Sequence, residues 1–203
     1  MKDEAYYFHQ TPKSLCHELV KKLDLNPTDC VFEPFAGEGN WVRSFGMDQN
    51  IIQTEIENGS DYRSIDLETT KVDWIITNPP YQLDEGASEN AFYKLINLFA
   101  GKTNKGIAFL GNDRCLAVFT PPRLKNLYET KGIYLHKIVG CSVKKWRGMY
   151  FFLIFKNKPS KPCCNGCKDK KPCESEAHHS HDHAPPTEHV RFDFFDFVEG
   201  DFE

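Results

Sequence analysis

The most constraining stretch is Val72-Asp73-Trp74-Ile75-Ile76-Thr77, a β-branched and aromatic run that ends abruptly in Asn78-Pro79-Pro80-Tyr81. Such a run reads as a buried strand, and two prolines directly after it end both the hydrogen-bond ladder and any helix. The chain must therefore leave the sheet in a fixed, extended conformation. Asn78 then sits at the carboxyl end of a strand, where open α/β sheets place their ligands, with its side-chain oxygen and the carbonyls of Pro79 and Pro80 available as acceptors. Tyr81 adds an aromatic face. Rigid acceptors beside a flat π surface suit a planar group bearing an NH2, such as the edge of adenine; the plainer reading of Asn-Pro-Pro is a loop punctuator.

Upstream, Cys30-Val31-Phe32-Glu33-Pro34-Phe35 reads as the first strand, followed by Ala36-Gly37-Glu38-Gly39-Asn40 and a helix through Trp41, Val42, Phe45 and Met47. Strand, glycine turn and helix form the nucleotide-binding entry of a doubly wound sheet, in which Gly37 and Gly39 admit a ligand that a Cβ would repel. The next strand, Ile51-Ile52-Gln53-Thr54-Glu55, ends in a carboxylate near the offset at which Rossmann-type folds bind ribose hydroxyls, with Glu57 as the neighbouring alternative. A third strand is expected to end at Asp61 or Asp66, with Asp61 favoured as the acceptor for a cofactor's adenine amino group.

Thr11-Pro12 reads as a helix start, with Thr11 as N-cap and Leu15, Leu19, Val20 and Leu23 on one face. The aromatic stretch Tyr6-Tyr7-Phe8-His9-Gln10 before it reads either as a cap on the core or as a lid on a cofactor. After the Asn-Pro-Pro-Tyr motif come a polar loop, a helix from Glu89 to about Phe99, a strand over Gly106 to Leu110, and a helix after Pro121-Pro122. Ile133 to Val139 and Met149 to Phe155 are joined by nine residues, too few for a crossover helix, so this pair must be antiparallel. The loop carries Lys144, Lys145, Trp146 and Arg147, cations around an indole that suit phosphate contact and base stacking.

Charge is unevenly placed. Residues 1–93 carry 7 basic against 17 acidic residues, 94–160 carry 13 against 2, and 161–203 carry 5 against 10. The basic middle is a candidate footprint for a polyanion, with interleaving of both signs in three dimensions as the alternative. No stretch has about 18 consecutive apolar residues and the start lacks signal-peptide order, so an intracellular, cytoplasmic or nuclear, membrane-free protein is expected. Cys16, Cys30, Cys115 and Cys141 are scattered in apolar segments as small buried thiols would be.

Together, Phe32-Glu33-Pro34-Phe35-Ala36-Gly37-Glu38-Gly39, the acid at Glu55 and Asn78-Pro79-Pro80-Tyr81 resemble the S-adenosylmethionine-dependent amino methyltransferases, in particular the N6-adenine group, over residues 6–157. The motif order, with a Thr-Pro helix in front, looks like the gamma arrangement of the DNA enzymes. The resemblance implies a class I, Rossmann-like α/β fold: a doubly wound sheet, mostly parallel, with a C-terminal antiparallel hairpin. It implies S-adenosylmethionine held by Thr11, Glu33, Pro34, Phe35, Ala36, Gly37, Gly39, Glu55, Asp61 and Asn78, catalysis by Asn78, Pro79, Pro80 and Tyr81, and nucleic acid at Lys144, Lys145, Trp146 and Arg147. Enzymes that methylate RNA adenine, or the glutamine amide of release factors, share the Asn-Pro-Pro-Tyr motif, so a protein substrate is the alternative; a non-catalytic nucleic-acid- or metal-binding subunit is another. Nothing between Lys156 and Glu203 has the size of the gamma enzymes' target-recognition domain, so a protein partner supplying recognition is expected.

The methyltransferase domain is expected to occupy residues 1–158. Residues 159–203 read as an acidic tail, largely disordered, in which Cys163, Cys164, Cys167, Cys173, His178, His179, His181 and His183 offer thiolate and imidazole ligands for a transition metal of unassigned identity. The run Val190 to Phe197 alternates well enough to dock as a strand.

Overall fold

In a computed structural model, residues 10–83, 90–143, 146, 148–159 and 190–197 are described. The chain runs α1 (Lys13–Val20), β1 (Cys30–Glu33), β2 (Asn50–Gln53), β3 (Val72–Thr77), α2 (Ala91–Phe99), β4 (Thr103–Asn112), α3 (Asp113–Ala117), α4 (Pro121–Lys131), β5 (Ile133–Val143), β6 (Met149–Asn157) and β7 (Arg191–Phe197). These strands form one sheet in the order β2-β1-β3-β4-β6-β5-β7. β1, β2, β3 and β4 pair in parallel, β6 is antiparallel to both β4 and β5, and β7 is parallel to β5. The expected α/β architecture with its closing hairpin is therefore present.

Each face of the sheet is covered separately, as alternation along the strands requires. Val31, Trp74, Ile76, Ala108 and Leu110 meet Leu15, Cys16 and Leu19 of α1, together with Trp41 and Phe45. Phe32, Ile75, Ile107 and Phe109 meet Phe92, Leu95, Ile96 and Phe99 of α2 and Leu127 of α4 on the opposite side. Each such side chain, taken fully out of water, contributes on the order of 1.5–3 kcal/mol. β4 runs close to its neighbours at Gly106, whose missing Cβ leaves room for the Phe155 carbonyl and the Trp74 indole.

Three local expectations are corrected. The helix after the glycine turn is only a 3-10 turn, Val42–Ser44, which leaves Met47 fully exposed. Its cause is local: the Ser44 hydroxyl donates to the carbonyls of Asn40 (2.7 Å) and Lys13 (3.2 Å), and Phe45 is already extended. The third strand is absent: 3-10 turns at Ile56–Asn58 and Tyr62–Ser64 and a single bridge between Glu55 and Ser60 replace it. There, the carboxylates of Glu55 and Asp61 accept from the N–H groups of Glu57 and Arg63, a turn arrangement that competes with a ladder. Finally, α1 has Pro12 rather than Thr11 at its cap position, and no side chain caps it.

β1 lies next to the edge strand β2, and the chain passes from β1 outward to β2 and then back across to β3 on the other side of β1. The carboxyl ends of β1 and β3 thus flank the switch point of the sheet, the position where this architecture opens a crevice.

Candidate functional site

Beyond β1 the chain turns tightly through Pro34–Asn40. The Thr54 N–H donates to the Glu33 carbonyl and the Ala36 N–H to the Thr54 carbonyl, both at 3.0 Å, while the Thr54 hydroxyl donates to the Pro34 carbonyl at 2.8 Å. Gly37 and Gly39 adopt φ values of 51° and 80°, the left-handed region that favours glycine. The Gly37 N–H donates to Glu55 Oε2, so the expected ribose acid lies against the glycine turn.

Beyond β3, Asn78 is half-buried and its Nδ2 donates to the Thr11 hydroxyl at 3.1 Å. The Thr11 carbonyl in turn accepts from Asn40 Nδ2 at 2.9 Å and from the Cys16 thiol at 3.8 Å. Thr11 therefore joins the Asn-Pro-Pro-Tyr motif to the glycine turn, and among the described residues Asn78 Oδ1 has no hydrogen-bond partner. A crevice lined by Gln10, Thr11, Phe35, Ala36, Asn40, Trp41 and Asn78 lies between them. A roomier cleft of about 350 Å³ lies between α1 and residues 44–49, lined by Val20, Leu23, Leu25 and Met47 among others. It is at the amino ends of β1 and β2, away from both motifs, so the smaller crevice is the better candidate.

Among the described residues Trp41 Nε1, in the wall of this crevice, is enclosed without a hydrogen-bond partner, as are Glu33 Oε2 and Thr77 Oγ1 at the ends of β1 and β3 and, elsewhere, Trp74 Nε1, Thr103 Oγ1 and Asn157 Oδ1. Buried polar groups are normally satisfied, so an orphan donor in the crevice wall fits a polar ligand. Asn40 and Trp41 were not among the expected site residues. Asn40 carried a signal, a short polar side chain directly after Gly39, whereas Trp41 read as one more apolar position of a helix.

Glu33 is completely buried; its Oε1 accepts from the Phe35 N–H at 3.0 Å. Burial pushes its carboxyl up to about 8, opposed by the Thr77 hydroxyl beside it and then by the Phe35 N–H, with the Glu55 charge adding a smaller rise. An unfolded glutamate has given up its proton at about 4.5 while the native one still holds it, so stability falls as pH rises from about 5 to about 8. Urea unfolding of the cofactor-free protein is expected to give lower stability at pH 8 than at pH 6, and Glu33→Gln should remove most of that slope.

Tyr81 is partly exposed and its ring lies 6.1 Å from that of Phe92. Burial raises its phenol above the usual range, with further contributions from Tyr150, Cys115 and Asp113. Tyr150 in turn packs on Trp146 at 4.4 Å, so Tyr81, Tyr150 and Trp146 form an aromatic run at the carboxyl end of β4 and the start of β6. Of the expected polymer-binding residues, Trp146 lies in this run and packs, partly buried, against the core on the α1 side of the sheet, whereas Lys144, Lys145 and Arg147 lie outside the described residues. Asp61 is adjacent to Tyr62, whose ring lies 5.0 Å from Phe35, but its own carboxylate pairs with Arg63, which holds it below the usual range.

Several basic residues of the middle segment have acidic partners, all but Glu129 drawn from elsewhere. Lys105 pairs with Asp29 and Lys137 with Asp193, each at 2.6 Å; Lys156 pairs with Asp24, Lys102 with Glu68 and Lys125 with Glu129. The charge asymmetry of the sequence is thus partly interleaved in space. Cys16, Cys30, Cys115 and Cys141 are free and buried, as expected. Among the described residues no group of three or more His, Cys, Asp or Glu could hold a metal, and the Cys/His cluster of the tail lies outside them. Among the described residues, too, no helix is long and apolar enough to cross a membrane.

No family model matches the sequence, and no curated protein matches it. Solved structures share its fold. A protein from Listeria monocytogenes, described as a class I S-adenosylmethionine-dependent methyltransferase, superposes with a TM-score of 0.55 at 14% identity, covering 90% of this chain and 64% of that one. The M protein of the type I restriction enzyme EcoKI gives 0.54 at 15% identity, covering 76% of this chain and 45% of its own. A protein from Pyrococcus horikoshii described as an RNA methyltransferase gives 0.50 at 16% identity, covering 72% of this chain and 84% of its own. The chain thus spans 64% and 45% of the first two. The fold is that of the class I methyltransferases.

Proposed function

We propose that the protein transfers a methyl group from S-adenosylmethionine to the exocyclic N6 amine of adenine in DNA or RNA. The observation that carries this reading is the Asn78 amide, tied through Nδ2 to Thr11 at the crevice of the glycine turn, with Oδ1 free to accept. When bound, the cofactor supplies an activated methyl on a sulfonium. Thr11, Glu33, Pro34, Phe35, Ala36, Gly37, Gly39, Glu55 and Asp61 are the residues proposed to hold it, with Asn40 and Trp41 added by the crevice.

The chain's own task is to bind, orient and exclude water. An exocyclic amine is a poor nucleophile because its lone pair is delocalised into the ring. Acceptance of its N–H bonds by Asn78 Oδ1 and the Pro79 carbonyl frees that lone pair and stabilises the positive charge that develops on nitrogen. Pro80 keeps this segment extended, and Tyr81 offers a partly exposed ring on which the base stacks. Tyr150 and Trp146 extend that surface, and Lys144, Lys145 and Arg147 are proposed to contact phosphate. A paired adenine must leave its stack at a cost of about a few kcal/mol, so single-stranded or distorted substrates are favoured.

A second reading, methylation of a protein glutamine amide, draws support from the pairing of the basic segment's lysines with acids, since that acceptor needs no polyanion surface. In either case target recognition is assigned to a protein partner. Incubation with methyl-labelled S-adenosylmethionine and separate pools of duplex DNA, single-stranded DNA, RNA and protein tests both. Label recovered as N6-methyladenine is expected; label on glutamine installs the second reading, and absence of both label and cofactor binding refutes methyl transfer.

A further inference from the structure

Glu33 ends β1 directly before the glycine turn, has no exposed surface, and leaves Oε2 without a hydrogen-bond partner. Across the switch point at the end of β3, Thr77 Oγ1 is equally enclosed and equally unpaired. The charged and titratable groups that face Glu33 are identifiable element by element. From the end of β2, Glu55 repels its charge. From α1, Cys16 keeps its proton, because burial and Glu33 itself push the thiol up; Arg43, from the 3-10 turn, acts on that thiol and donates to Asn40 Oδ1. Among the described residues none supplies Glu33 with a cation.

A carboxyl in this position is costly when ionised and cheap when neutral, because among the described residues the Phe35 N–H and the Thr77 hydroxyl favour its charge but no cation replaces the lost hydration. Its place beside the glycine turn therefore makes sense as half of a pair whose other half arrives from outside. The cofactor proposed above is such a species, for it carries a sulfonium and an ammonium. We propose, resting on that reading of the site, that Glu33 is a proton-linked counter-charge for the cationic cofactor, losing its proton when S-adenosylmethionine binds and recovering it once methyl transfer has removed the sulfonium charge.

The balance is simple. On binding, the Glu33 O–H bond breaks and its proton goes to solvent. On transfer, the S–CH3 bond breaks, an N–CH3 bond forms, and the acceptor nitrogen releases one of its own protons to solvent. The sulfur is then a neutral thioether, and Glu33 takes a proton back from solvent. The device discriminates substrate from product by charge: the same carboxylate that favours the sulfonium gains less from the thioether, which promotes exchange of product for fresh cofactor.

Calorimetric titration of the protein with S-adenosylmethionine and, separately, S-adenosylhomocysteine, in two buffers of different ionisation enthalpy at pH 7, counts the protons. Release approaching one proton per S-adenosylmethionine is expected, with a smaller release for S-adenosylhomocysteine. The dissociation constant for S-adenosylmethionine should fall by up to tenfold per pH unit between pH 6 and 7 and level off above about 8. Glu33→Gln should bind with no proton release and a flat pH dependence. Carbon NMR titration of glutamate carboxyls in the wild type, with and without cofactor, gives the same answer without a variant. Binding to the wild type without proton release, equal release by Glu33→Gln, or a Glu33 carboxyl unchanged by cofactor overturns the inference alone. Absence of any S-adenosylmethionine binding overturns the functional reading together with it.

Discussion

Asn78→Ala is expected to cut methyl transfer to a small residual rate while S-adenosylmethionine binding stays within a few-fold of wild type. The expected loss of about 10²–10³ in turnover follows from removing one preorganised acceptor from the nitrogen on which charge develops. The substitution should spare the cofactor, since the glycine turn is built on Thr54, Glu55 and Ala36 and does not depend on the Asn78 amide. Single-turnover assay with labelled methyl, beside calorimetry of cofactor binding, separates the two effects. Thr11→Val serves as the internal comparison: it keeps the acceptor but frees the amide to rotate, so its loss should be smaller, and Thr11→Ser, which restores the hydroxyl, should recover most of it. Wild-type turnover by Asn78→Ala removes this residue from the mechanism.

Gly106→Ala should strongly destabilise the protein. A Cβ at this position overlaps the Phe155 carbonyl oxygen of β6 and comes within 2.8 Å of Trp74 Cζ3. Neither neighbour can yield easily. The carbonyl belongs to the backbone of a strand paired on both sides, and Trp74 is almost completely buried in the layer beneath α1. Overpacking of this kind costs about 1–3 kcal/mol, more against backbone, out of a total of about 5–15 kcal/mol. Gly46→Ala is the matched control, because nothing lies within 4 Å of a Cβ there. Urea denaturation of both variants measures the difference, and equal midpoints would contradict the close approach of β4 and β6.

What could be read in advance separates along the range of the interactions involved. β3 and its proline-locked exit were legible because apolar continuity and backbone chemistry are encoded within ten residues, Val72 to Tyr81. The antiparallel β5–β6 pair followed from loop length alone. The helix expected after Gly39 was lost to one hydroxyl, Ser44, bonding back to the Asn40 carbonyl. The strand expected before Asp61 was lost to carboxylates that bond their own backbone. Thr11 read as a helix cap because Thr-Pro so often starts one; its hydroxyl instead meets Asn78, 67 residues away, and no local pattern announces such a partner. The same is true of Lys105 with Asp29 and Lys137 with Asp193, which turned a lopsided charge map into a partly neutralised one.

β7 has a practical meaning for work with shortened versions. It runs alongside the whole upper two thirds of β5, from Lys137 to Val143, and so screens that strand's outward-facing amides and carbonyls. Trimming the gene after Asn157, the natural choice for anyone wishing to discard a cysteine- and histidine-rich extension, would bare this row of backbone groups and strip Lys137 of its carboxylate. Naked strand borders recruit other strands. Expression work is therefore better served by excising the interior of the extension and retaining its last segment than by cutting it away entirely.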